Sequence, residues 1–386
     1  MILSLSFNII CMIPDFIWLI FFVSASIQFN YLIFIFGRLA FTKHTPYPDI
    51  PSEVEGVTVL VAARNEKENL ERLIPLLSAQ NHPLFEILIV NDRSTDGTEE
   101  VLSTMMDIHS RLRTVTVKYT PSHVTAKKYA ITLGIKIAKY DIILLTDADC
   151  IPVSSNWIQT MSRPIWAGKK MFALGHGAYM KSPGFLNRLI QFETLFTGLN
   201  YLSFALWKAP LMGVGRNLCY RKSFFMEKNG FRNLWHINGG DDDLLINQYA
   251  TGSNTAVVIH PEGITLSDPK TNWKDYLAQK NRHFHAGKYY KTRNKLKIGL
   301  YMFTHLMFWI TAFLLLFTAK TWEPIALVGG LTLLRQGLQY SVFTSAEKKL
   351  EGIGNVSWTL FFDLVYLSYF WIVGTKGYLS KKIRWK

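Results

Sequence analysis

Two short acidic runs stand out for the chemistry they could do. Asp147-Ala148-Asp149 follows an apolar stretch, and Asp241-Asp242-Asp243 follows Gly239-Gly240. Two carboxylates held together repel each other unless a proton or a cation lies between them. Read as hard oxygen donors at strand spacing, where residues i and i+2 point the same way, and with no nearby Cys or His, Asp147 and Asp149 favour Mg2+ or Mn2+ over zinc. Such an ion keeps open positions that substrate phosphates fill. The aspartates at 241–243 open a helical pattern, where acids also serve as caps, so the run alone supports either catalysis or capping. Two further polar clusters each follow a short apolar run: Ala63-Arg64-Asn65-Glu66 and Asn91-Asp92-Arg93-Ser94-Thr95-Asp96-Gly97-Thr98.

The elements that carry these clusters alternate. Strands are expected at 57–62, 85–90, 115–119 and 142–146, and helices at 66–78, 98–106 and 125–138. That order argues for an α/β fold, a mostly parallel sheet with helices on both faces. Ligands bind such sheets at the carboxyl ends of their strands, and the clusters at 63–66, 91–98 and 147–149 all follow strands. Together they describe a pocket.

The remainder of the chain is greasy and basic. Of 386 residues, 49% are hydrophobic and 18% charged, with a formal net charge of +14. Residues 16–37 are long and apolar enough to cross a bilayer. No Lys or Arg precedes them, and the run continues past the cleavage-like Val23-Ser24-Ala25, so a retained anchor is expected rather than a signal peptide. Residues 300–319, 324–340 and 358–374 are further candidate spans, with Arg335, Gln336, Gln339 and Asp363 interrupting the last two. Basic residues crowd 270–297, where Asp275 is the single acid, and 376–386, which has none. These two clusters carry nearly all of the excess. They fit the positive-inside rule and anionic lipid, and they leave too little charge on the domain for a nucleic-acid surface. The basic stretch places the middle domain in the cytosol. Three C-terminal spans would then put the basic tail outside, so one of 324–340 and 358–374 is expected to lie in the interface, and the span count stays open.

The expected organisation is a transmembrane anchor at 1–41, a cytosolic domain at 42–297 entered through a stiff Pro-rich linker at 45–52, and C-terminal transmembrane or interfacial helices with a basic tail at 298–386. Cys11, Cys150 and Cys219 are scattered, with neither a disulfide framework nor a zinc-type spacing. The aromatics of 192–207 suit an interfacial stretch or buried core equally. His283 and His285 read as surface residues, and His176, His236 and His260 take no role. No span shows a paired set of intramembrane charges, which argues against a channel or transporter.

The run from Val59 to Glu66, the run from Val90 to Thr98 and Asp147-Ala148-Asp149 resemble the family-2 inverting glycosyltransferases of the GT-A fold, a Rossmann-like architecture. The resemblance continues through Lys127, Gly215-Arg216-Asn217-Leu218-Cys219-Tyr220-Arg221, Gly240-Asp241-Asp242-Asp243 and Gln279-Lys280-Asn281-Arg282-His283, covering roughly residues 55–290 in order. The anchor and C-terminal spans are similar to the membrane branch of that family, and the cell (inner) membrane is the expected location.

What the resemblance implies is a hexosyltransferase-type enzyme. Asn65, Glu66, Asp92, Lys127, Asp147, Gln279 and Arg282 would bind a nucleotide-sugar donor. Asp149, with Asp147, would hold Mg2+ or Mn2+. Asp242 is favoured as the base when aligned on Gly240, and Asp241 when aligned on the following leucine. Arg216, Asn217 and His283 would lie on the acceptor side. Relatives usually have Glu-Asp at the base motif and often Trp at the position of His283, and the missing Trp weakens a polymerase reading. The acceptor expected is lipid or a lipid-linked glycan, because the anchor and the basic belt at 270–297 hold the domain at the membrane. A processive polysaccharide synthase and a non-catalytic nucleotide-sugar-binding scaffold are the alternatives.

Overall fold

The computed structural model describes residues 2–42, 54–350 and 358–380. The expected linker at 45–52 and the lysines of the tail beyond 380 lie outside the described residues. The chain begins with α1 (Ile2–Asn30), which widens by one turn over Tyr31–Phe36 and ends in α2 (Gly37–Phe41). The α/β part then runs β1 (Val57–Ala63), α3 (Lys67–Ser78), β2 (Phe85–Asn91), α4 (Thr98–Ile108), β3 (Leu112–Thr116), α5 (Ala126–Ile137) and β4 (Ile142–Leu145). The third strand starts three residues before its expected position. Leu112 pairs with Ile87 and is buried, whereas the expected Lys118 and Tyr119 lie past the pairing.

The second half contributes β5 (Cys150–Pro152), α6 (Trp157–Trp166), β6 (Phe172–Leu174), β7 (Gly177–Tyr179), α7 (Phe185–Leu206), β8 (Leu218–Arg221) and α8 (Lys222–Glu227). It continues with α9 (Asp243–Tyr249), β9 (Thr255–Val257), β10 (Thr265–Ser267) and α10 (Trp273–Ala286). The main sheet has the order β3-β2-β1-β4-β8-β6-β9. Its first four strands are parallel, and β8 runs antiparallel to both β4 and β6, so the sheet is mixed rather than uniformly parallel. A small sheet, β5-β10-β7, lies beside it.

Buried side chains cover both faces of the sheet, as the unbroken apolar run of β1 requires. Val57, Val59 and Val61 pack with α3 on one face, while Leu60, Leu88 and Ile143 pack with α5 on the other. A Cβ at Gly134 of α5 would sit 2.4 Å from Leu60, so only glycine lets that helix lie so close to the sheet.

The chain ends in α11 (Thr292–Thr318), α12 (Trp322–Leu350), α13 (Thr359–Tyr369), a widened turn at Phe370–Gly374, and α14 (Thr375–Leu379). Asp15–Phe41 and Thr292–Thr318 are the two stretches long and apolar enough to cross a membrane among the described residues. α11 runs across the boundary expected at residue 297, because the basic residues before it form its first turns. Tyr31, Phe36, Phe196, Tyr301, Phe343 and Tyr366 belong to the same core as the sheet's second face, so the helices and the α/β part are packed as one body. α7 is the shared wall. Its aromatics Phe192, Phe196, Tyr201 and Phe204 are core rather than an interfacial stretch.

The expectation of unpaired helices is corrected by a buried polar cluster. Asp363 of α13 accepts from Arg335 Nη1 (3.0 Å) and Gln339 Nε2 (2.8 Å) of α12, and His305 Nε2 of α11 lies 3.1 Å away. Arg335 Nη2 donates to Gln28 of α1 at 3.0 Å, and Gln28 donates to Tyr301 O and Thr304 Oγ1. The pairing joins four helices, so no single segment's pattern could reveal it. Breaking such a pair by removing one partner typically costs about 3–5 kcal/mol.

Candidate active site

The carboxyl ends of β1, β2 and β4, the glycine loop before α9, and α10 surround a cavity of about 1070 Å³. Strand β4 stops at Leu145, and Asp147–Asp149 form a turn that leads into β5. The two carboxylates therefore converge through a turn rather than through strand pleating. The small sheet fixes that turn, since Cys150 pairs with Ser267 across it. Cys150 is the neighbour the sequence reading passed over. Its thiol lies with the two carboxylates, all ligand atoms within 4.8 Å of one another. Burial and the adjacent Asp149 push that thiol's pKa up, so it stays protonated against Asp149 and Ser267. The anionic donors are thus the two carboxylates. Burial and then Asp147 raise the Asp149 pKa against the pull of Lys270 and Arg216. A half-buried pair of repelling carboxylates fits a hard divalent cation.

Lys127, in the first turn of α5, joins this turn to the second acidic run. Its Nζ donates to Asp147 Oδ1 at 2.8 Å and lies 3.3 Å from Asp241 Oδ2. Burial alone would lower the Lys127 pKa, but Asp147, Asp241 and Asp242 outweigh it and hold the ammonium well above the usual lysine range. The adjacent Lys128 is fully buried and donates to the carbonyls of Ile237 (2.5 Å) and Gly239. It pins the loop in which Gly239 and Gly240 adopt φ +78° and +76°, a conformation that favours glycine.

The three aspartates that follow have different environments. Asp241 is buried, and although burial raises its pKa, Lys127 and Lys128 bring it below the ordinary value. Asp243 is buried, receives the Tyr290 hydroxyl at 2.8 Å, and is pushed up to about 8 by burial and by Asp242. All three line the cavity, and Asp242 is the least buried of them. It caps α9 through Asp243 N at 2.8 Å and accepts from Gly215 N at 2.5 Å. Burial and the neighbouring Asp241 charge raise it to about 6, against the pull of Lys127. A carboxylate there is oriented by two backbone donors and poised to exchange a proton near neutral pH.

Most of the expected site residues line this cavity: Glu66, Asp92, Lys127, Asp147 and Asp149 on one side, and Arg216, Asp241, Asp242, Gln279, Arg282 and His283 on the other. Two do not reach it. Asn65, in a left-handed conformation (φ 56°), accepts from Thr95 N and ties the first two strand-end loops together. Asn217 is fully buried, its amide spent on Trp157, His176 and Gly263. Arg216 turns toward the metal-type turn rather than away from it. It stacks on Tyr179 (4.3 Å) and, despite burial, is raised by Tyr179, Cys150 and Asp149.

One histidine reading changes and one holds. His283 is exposed, as expected, and lines the cavity, where desolvation and the cations Lys280, Arg282 and Arg216 hold its pKa below the usual histidine value. His285 is buried against α14, with Ser380 Oγ 3.4 Å away. The basic stretch is likewise divided. Lys280 is buried in an ion pair with Glu193 at 2.8 Å, and Lys270 lines the cavity.

Residues 58–227 match the model of the glycosyl transferase family 2. That match covers somewhat under half of the chain and spans β1 to α8. The chain is similar to a poly-beta-1,6-N-acetyl-D-glucosamine synthase of Staphylococcus aureus, 32% identical over 140 residues covering 32% of this chain and 33% of the relative. It is also similar to the synthase of that name from Staphylococcus epidermidis, 28% identical over 146 residues covering 38% of this chain and 33% of the relative. The chain spans about a third of the length of these curated relatives. A mannosyltransferase from Pyrobaculum calidifontis, solved with GDP-Man and Mn2+, superposes with a TM-score of 0.54 at 16% identity. The superposition covers 88% of this chain and 100% of that one, and it establishes the shared GT-A fold.

Proposed function

We propose that this glycosyltransferase moves a sugar from a nucleotide-sugar donor to the hydroxyl of a lipid or glycan acceptor by a single inverting displacement, with Asp242 as general base. The observation that carries the reading is the placement of Asp242. It is the least buried member of the acidic run, fixed by Gly215 N and Asp243 N, on the same cavity as Asp147, Asp149 and Lys127.

Asp149 and Asp147 would hold Mg2+ or Mn2+, which when bound neutralises the donor diphosphate. Glu66 and Asp92 border the nucleoside end. Lys127, Arg216 and Arg282 supply positive charge toward the leaving diphosphate. Asp242 accepts the acceptor hydroxyl's proton as the bond to the anomeric carbon forms and the bond to the diphosphate oxygen breaks. His283, neutral and beside Arg282 on α10, stands on the acceptor side. A single displacement needs no covalent sugar–enzyme intermediate, and the neutral Cys150 thiol has no role as a nucleophile.

Asp15–Phe41 and Thr292–Thr318 support a multi-pass protein of the cell membrane with its catalytic domain on the cytosolic face. The organisation proposed is an anchor at 1–41, a catalytic domain at 42–297 and C-terminal helices at 298–386. Similarity to poly-N-acetylglucosamine synthases makes UDP-N-acetylglucosamine the first donor to try and keeps a processive synthase as the second reading. The test is nucleoside-diphosphate release from a donor panel, with product size distinguishing single from repeated transfer.

A further inference from the structure

We propose that Glu193 and the hydroxyl-bearing face of α7 form a saccharide subsite for the acceptor, so that the acceptor end entering the cavity is a sugar rather than a lipid phosphate or a bare lipid alcohol. This rests on the glycosyl-transfer reading above. α7 is otherwise a buried apolar helix, yet toward the cavity it presents Glu193, Thr194, Thr197, Gly198 and Tyr201. That spacing is one face of a helix.

Glu193 is 5% exposed, and a buried carboxylate requires partners. Tyr276 OH donates to its Oε2 at 2.6 Å, and Lys280 Nζ forms an ion pair with the same atom at 2.8 Å. Both of these contacts go to Oε2, and among the described residues the Thr194 and Thr197 side chains make no hydrogen bond to the protein, so all three groups stand open to the cavity. Three polar acceptor or donor groups therefore line one wall of the cavity, free to turn to a ligand. Facing partners of the opposite character come from the C-terminal helices, where Tyr366, Phe370, Trp371 and Tyr378 line the same cavity. A pyranose has hydroxyls around its rim and C–H groups on its faces, and this combination of a polar stripe with aromatic rings matches both.

The chemistry disfavours the other occupants. Lys280 is already neutralised by Glu193, so this face offers a phosphate a carboxylate rather than the free cation it needs. An alkyl chain laid along it would desolvate Glu193 Oε1 and two hydroxyls without replacing their hydrogen bonds. From Glu193 to Tyr201 the helix rises about 12 Å, more than one pyranose ring, so the subsite extends beyond the sugar that carries the attacking hydroxyl.

The experiment uses the full chain in detergent with the donor found by nucleoside-diphosphate release. Short chito-, cello- and manno-oligosaccharides and a polyprenyl phosphate serve as acceptors. The expected result is transfer to an oligosaccharide, with its KM raised about tenfold or more in Glu193→Gln, the effect of losing a charged hydrogen bond, and raised in the nearly isosteric Thr197→Val. Nucleoside-diphosphate affinity, measured by calorimetry in each variant, reports that the fold is intact, and Thr197→Val stands alone if Glu193→Gln does not fold. Transfer to the polyprenyl phosphate alone, or an unchanged oligosaccharide KM in folded variants, overturns the subsite and leaves the transferase reading standing. Absence of turnover of any donor overturns that reading and the subsite with it.

Discussion

Lys127 and Asp241 stand 3.3 Å apart across the gap between α5 and the glycine loop, and the same ammonium donates to Asp147. One cation therefore links the turn suited to a metal with the run that contains Asp242. It also divides the three aspartates into different protonation states. Asp241 is neutralised as an ion pair, while Asp242, lacking a direct cation, rises into the range where a base can act. Pairs of carboxylates whose environments push them apart in this way are a recurring basis for dividing acid and base roles.

Replacing Asp242 by Asn should lower transfer by about 10²–10⁴-fold, the usual contribution of a general base. The amide keeps an oxygen for Gly215 N, so nucleotide affinity should change little. Steady-state transfer rates and calorimetric nucleotide binding on the same preparation check this pair of outcomes.

The pH profile of transfer should have an acid limb near 6, because Asp242 must be deprotonated to accept a proton and is raised to about 6 by burial and Asp241. Activity is lost as the pH falls through that value. Lys127→Met removes the cation that opposes the rise, so the limb should move to higher pH. A limb that stays in place in this variant assigns it to another group.

Asp149→Asn removes one of the two carboxylates at the β4–β5 turn. Mn2+ affinity, measured by titration in the presence of a nucleoside diphosphate, should fall by an order of magnitude or more. Cys150→Ser should leave it nearly unchanged, because the thiol is protonated and bonded to Ser267.

Asp363→Ala should destabilise the helices by about 3–5 kcal/mol, since it leaves Arg335 buried without its partner. The double replacement Arg335→Met with Asp363→Leu removes both charges and should recover most of the loss. Thermal unfolding of detergent-solubilised protein distinguishes the two.

The first half of the fold was legible because each strand and its following helix are contiguous, so that Val57–Ala63 and Lys67–Ser78 could be read from local periodicity. The pocket was legible for the same reason, as its polar clusters directly follow strands. The rest depends on contacts far apart in the chain. The three-residue strands β5, β7 and β10 are too short to leave a pattern, yet they bring Cys150 against Ser267 and turn Arg216 toward Asp149. Lys128 differs from its neighbour Lys127 only in facing inward, and a helical-wheel count through Ala130, Ile131 and Gly134 was the available signal. Glu193 with Lys280, and Arg335 with Asp363, are paired across separate helices, so the first pair left no local signal and the second read as interruptions of apolar spans. The family resemblance named Asn65 and Asn217 because of their motifs, but local geometry uses both amides to hold loops and strands in place.

The most direct test of the account is nucleoside-diphosphate release by the solubilised full chain from UDP-, GDP- and dTDP-sugars, with Mg2+ or Mn2+ and with EDTA. Release is expected from one donor, lost with EDTA and lower by at least about 10²-fold in Asp242→Asn. Release that persists undiminished in Asp242→Asn would contradict the assignment of the base, and no release from any donor would contradict transfer itself.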